Sequence, residues 1–165
     1  MPIPDAAALL AGFVLAHAAW SASDLPRGEL VAPLAIVEQN GERELHRFEA
    51  PTQAEAVARG KKAMTDATAR ADAWAFAREG PFNREGQKVD MLVVDFWAKG
   101  MASPATIMQQ FEPFTTGGRF KIIGEPLLVL DGQPQTDGAA QAVIARLREG
   151  IRSHPKVASL WDSWQ

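Results

Sequence analysis

The sequence predicts an α+β fold: one two-layer domain over residues 1–165, with a mostly antiparallel sheet of about five or six strands and helices packed on one face. Three observations carry this expectation. Apolar residues recur at helical spacing near both ends of the chain. Between residues 71 and 130, strand-like runs alternate with short Gly- or Pro-marked turns, and short links join antiparallel neighbours. The dipeptide Asn40-Gly41 separates two further strand-like runs, and both residues tolerate the positive φ of a tight hairpin turn.

The elements follow in order. Asp5 stands where it would cap a first helix, in which Leu9, Leu10, Phe13, Val14 and Ala16 form an apolar stripe that continues to Trp20. The stretch "SASDLPRGE" ends it. Strands are expected at 33–39 and 42–49, on either side of Asn40-Gly41. Thr52 and Glu55 have the S/T-x-x-E spacing of a capping box, so a second helix starts there and stops near Ala71. Next, "ADAWAFAREG" alternates small and large residues at period two, which a strand sorts onto two faces and a helix would scatter. "GPFNREGQ" reads as a turn region, 88–98 as a strand, and Gly100 to Pro104 as a loop. "TIMQQFEPF" is a strand, "TTGG" a turn, and "RFKIIGEPLLVL" a strand bent at Gly124 and Pro126, where proline is tolerated at an edge or bulge. A last helix covers 137–153, with Val143, Ile144, Leu147 and Ile151 on one side. Pro155 and a short turn or helix ending in "LWDSW" close the chain.

Composition narrows the classes of function. At 165 residues the chain forms one core, and its 47% hydrophobic and 22% charged residues are those of a folded protein. A net charge of -3 without a basic run gives no expectation of nucleic acid, whose phosphates demand clustered Lys and Arg. Cysteine is absent, which removes disulfides, thiol nucleophiles and thiolate metal ligands and fits a reducing cytoplasm. The apolar stretch "AAALLAGFVLAHAAWSA" resembles a signal core, but no basic residue precedes it and Asp5 does. Interrupted by His17, it reads as a buried amphipathic helix and not as a targeting or membrane segment.

If the later strands form a meander, alternation fixes which side chains share a face. One face collects Ala73, Ala75, Ala77, Leu92, Val94, Phe96, Ile107, Phe111, Phe120 and Ile122, with alanines that let helices approach. The other collects Trp74, Phe76, Arg78, Met91, Val93, Asp95, Trp97, Met108, Gln110, Glu112, Phe114, Arg119, Lys121 and Ile123. That second face is too aromatic and methionine-rich to stand in water. It requires cover: the first helix, the C-terminal "SLWDSW", a second copy of the chain, or a ligand.

Chemical motifs are few. Asp95 beside Trp97 could serve as an acid or base against an aromatic wall, but pairing with Arg78, Arg119 or Lys121 is the expected role. His17, His46 and His154 show no metal-ligand spacing, so a metal site would need distant segments to converge. There is no G-x-S-x-G elbow, and "TTGGRF" continues into a strand, unlike a phosphate loop that opens a helix. Trp161 and Trp164 suit a clamp of the C-terminus onto the body.

The sequence thus points to a soluble protein of bacterial-type composition that acts by self-association, as a homodimer. Its contact residues would be Trp74, Phe76, Met91, Asp95, Trp97, Met108, Glu112 and Arg119. No cofactor, metal or catalytic residue is expected. The alternative is a small-molecule-binding protein or hydrolase-like enzyme, with Asp95, Glu112 and Arg119 as polar groups and Trp74 and Trp97 as walls.

Overall fold

The computed structural model describes residues 2–25, 29–113 and 118–165. Its elements are α1 (Asp5–Ala22), β1 (Leu34–Gln39), β2 (Glu42–Arg47), α2 (Gln53–Ala67), β3 (Ala73–Arg84), β4 (Gln87–Ala98), β5 (Ala105–Glu112), β6 (Lys121–Leu130), β7 (Gln133–Gln135) and α3 (Gly138–Arg152), then a 3-10 turn at Asp162–Trp164. All seven strands form one antiparallel sheet in the order β2-β1-β3-β4-β5-β6-β7. The α+β antiparallel class is therefore present, with one strand more than the upper expectation.

The pleat has the expected phase. Ala75 pairs with Phe96 and Ala77 with Val94, while Trp74 pairs with Trp97 and Phe76 with Asp95 on the reverse side. Ala73, Ala75 and Ala77 are buried together with Leu92, Val94, Phe96 and Ile107. α1 crosses this alanine floor over β3 and β4, then packs against α3. α1 is buried on most of its circumference, as a helix apolar all round must be. Its approach to α3 is set by glycine: a Cβ on Gly12 would strike the backbone of Leu147, and one on Gly150 the backbone of Leu9. By length and apolarity α1 also meets the requirement for crossing a membrane, and most of it is packed inside this fold.

One feature of the expected layering is different. α2 lies on the second face, not beside α1: its Gly60 rests on the Phe76 ring, and Thr68 at its end accepts the Trp74 indole N–H at 2.9 Å. The cause is topological. β2 and β3 are both antiparallel to β1, which lies between them, so β2-α2-β3 is a crossover between parallel strands. The handedness preference of such crossovers gives α2 its face without regard to α1.

Local differences have local causes. Pro4, not Asp5, occupies the N-cap of α1, and Asp5 instead reaches Arg146 on α3 at 3.6 Å. Thr52 caps α2 as expected, accepting from the Glu55 N–H at 3.2 Å. "GPFNR" is strand and not turn, because the reversal occurs at Glu85-Gly86, with φ of 52° and 80°. Pro81 is accommodated because β3 has no strand on its outer side beyond Ala77. A second unexpected reversal at Asp131-Gly132 creates β7.

β6 bends where Gly124 and Pro126 stand. Gln110 pairs with Ile123 but Met108 with Leu127, so Gln109 alone opposes three residues. The buried Gln109 carboxamide fills the gap, donating to the carbonyls of Gln110, Ile123 and Gly124 at 3.0–3.2 Å.

Candidate functional site

The second sheet face has two halves. Over β1, β3 and the end of β4, α2 and the loop at 99–104 supply the cover. Trp74 and Trp97 are both buried there, and the Trp97 indole donates to the Met101 carbonyl at 3.0 Å. Phe76 is 1% exposed, beneath Gly60 and edge-on to Phe48. Three residues expected at an interface are therefore core residues, because the helix that covers them was expected on the other side.

Asp95 sits at the border. Its carboxylate accepts from Arg78 Nη1 and Thr106 Oγ1, each at 2.7 Å, so both oxygens are engaged. This is the expected ion pair, with Arg78 as the partner among the three candidates. Alongside lies a depression of about 360 Å3 lined by Met64, Thr68, Trp74, Phe76, Asp95 and Pro104.

The other half, over β4, β5 and β6, lacks a helix. Met91, Met108 and Ile123 are partly exposed and Leu127 is exposed, and these line a groove of about 710 Å3 that continues past the bend of β6 to Gln141, Ile144 and Arg148 of α3. Its wall is the distal part of the β3–β4 hairpin. Residues 82–84 and 87–89 pair only with one another, since β1 pairs with β3 no further than Ala77 and β5 pairs with β4 no further than Asp90. Phe82, 38% exposed, stands on this arm opposite Val89, and Arg84 reaches Gln110 on β5 at 3.3 Å.

Glu112 closes β5 on this face across from Lys121. Arg119 leaves the face: its guanidinium donates to the Ser163 carbonyl at 3.2 Å, at the C-terminal segment. The polar trio Asp95, Glu112 and Arg119 does not converge as one site. Phe114 and the turn residues Thr115, Thr116 and Gly117 lie outside the described residues.

Trp161 and Trp164 form the expected clamp. Both are buried, with Trp164 edge-on to Phe120 at 5.0 Å and Phe120 stacked on Phe111 at 5.6 Å. His46 is solvent-facing on β2 near Glu44. A convergence that spacing concealed joins the other two histidines: His17 Nδ1 and His154 Nε2 are 3.0 Å apart, although 137 residues separate them. Among the described residues no three His, Asp, Glu or Cys side chains group as a metal site.

No protein-family model, curated protein or solved structure matches this chain.

Proposed function

We propose that this protein works by association with a second copy of itself, through the half of the sheet's second face that α2 leaves open. The observation that carries the reading is the apolar groove of Met91, Met108, Ile123, Leu127 and Phe82, whose floor on β4, β5 and β6 stands partly exposed. Methionines on an open face repack readily against an opposing surface. A two-fold axis demands only that this one patch complement itself, the commonest route to a soluble oligomer.

Edge-to-edge pairing is a poorer route. β2 carries Glu42, Arg43, Glu44, His46 and Arg47 along its length, and β7 is three residues long, both of which protect a sheet edge. Pairing through the face avoids these guards.

Sedimentation equilibrium on the native chain, Leu127→Asp and Leu45→Asp tests the proposal. Leu45 is exposed on β2, away from the groove. Dissociation of the Leu127 variant alone supports the groove. Equal masses for all three, or dissociation by the Leu45 variant alone, counts against it.

A second reading is favoured by the depression beside α2. Its volume of about 360 Å3 is large enough for a small ligand, with aromatic walls and one carboxylate. Titration with tryptamine would then change the tryptophan fluorescence saturably in the native protein and not in Asp95→Asn. A linear, variant-independent response removes this reading.

A further inference from the structure

His17 lies on α1 and His154 in the turn after α3, and their rings meet among Phe13 and Trp20. The hydrogen bonds fix the tautomers. The Lys156 backbone N–H donates to His154 Nδ1 at 3.1 Å, so the neutral His154 ring carries its proton on Nε2. That proton faces His17 Nδ1 at 3.0 Å, which must therefore accept, leaving the His17 proton on Nε2. His17 Nε2 is buried and has no partner among the described residues.

The pair thus has two ring nitrogens free of protons, and both already accept hydrogen bonds. A proton added at His154 Nδ1 would face the Lys156 N–H. A proton added at His17 Nδ1 would face the His154 Nε2–H. Either way two donors confront each other and one contact breaks.

The charged groups facing the pair add to this. From β2, Arg47 acts on His17 and Arg43 stacks over the Phe13 ring at 4.9 Å. Glu38 on β1 is bound to Arg43 at 3.1 Å. Among the described residues, the C-terminal turn brings the Lys156 backbone to the pair, and α1 brings Phe13, Trp20 and Ser21, whose hydroxyl bonds the His17 carbonyl. Burial, then the charge of His154 and that of Arg47, hold the His17 pKa below its ordinary value, and burial lowers that of His154.

His154 opens the segment that ends with the tryptophan clamp. Beyond it, Val157, Trp161 and Trp164 are buried, and Trp164 covers Phe120. We propose that the His17–His154 contact is an acid-sensitive latch: proton uptake by the pair loosens segment 154–165 from α1 and uncovers Phe111 and Phe120.

Amide hydrogen exchange of the full chain, corrected for the intrinsic rate, tests the latch at about pH 7.5 and about pH 5.5, either side of the ordinary imidazole range. Protection of Val157–Trp164 is expected to fall about tenfold or more in acid as the segment opens locally, while β4 keeps its protection. His17→Asn combined with His154→Asn should abolish the segment's response. If that double variant does not fold, His17→Asn alone must show a smaller response than the native chain. Unchanged protection of the native segment at the lower pH, an equal loss in β4, or an undiminished response in the variant would overturn the proposal.

Discussion

At the scale of single residues, the fold turns small chemical differences into fixed positions. Asp95 is held by Arg78 and Thr106 with both side chains of the ion pair about one-fifth exposed, so the pair is shielded but not dry. Asp95→Ala leaves Arg78 without its partner and is expected to cost about 1–2 kcal/mol in denaturant unfolding. Gly150 is tighter still, since the obstruction to a Cβ there is backbone and not a movable side chain. Gly150→Ala should destabilise by about 1–3 kcal/mol by forcing α1 and α3 apart, although alanine is the better helix former in isolation. A stabilised Gly150→Ala protein in the same assay would contradict the close helix crossing. That Asp95 would meet a cation was legible in the sequence because period-two alternation put Arg78, Arg119 and Lys121 on its face, while the choice of Arg78 comes from the strand register. Gln109 was not, since nothing about a glutamine in a strand says that a bulge will close over it.

Among the elements, legibility followed the range of the cause. The Asn40-Gly41 turn and the Thr52 cap are decided within a few residues, and both stand where the local signals place them. The β3–β4 reversal was displaced because Gly80-Pro81 is a turn-like pair in sequence, whereas a one-sided strand tolerates it. β7 was missed despite its Asp-Gly signal, because three residues are too few to show alternation. The side chosen by α2 follows from strand order, a property no local window contains, and for that reason the burial of Trp74 and Phe76 beneath it was not legible. Elements also carry the pH dependence. His17 and His154 have folded pKa values lowered below 6.5, so the unfolded chain binds more protons as the solution becomes acidic. Their contribution to stability is complete above about pH 6.5 and is lost as pH falls through the lowered folded values. Urea midpoints followed from neutral to mildly acidic pH should decline in the native protein and decline less in His17→Asn. Equal slopes for the two proteins would show that the pair is not responsible.

For the whole molecule, one sheet has its faces covered unequally. α1 and α3 lie over the first, α2 covers part of the second, and the β3–β4 arm stands over the uncovered part as a wall. A standard two-fold contact buries roughly 800 Å2 per partner, and the groove with its arm gathers Phe82, Met91, Met108, Ile123 and Leu127 into one apolar surface. Light scattering of the native chain across a micromolar concentration series tests this most directly. Self-association through the open face predicts a molar mass that rises to twice the 17.9 kDa of one chain. A mass that remains at one chain throughout the series would contradict it.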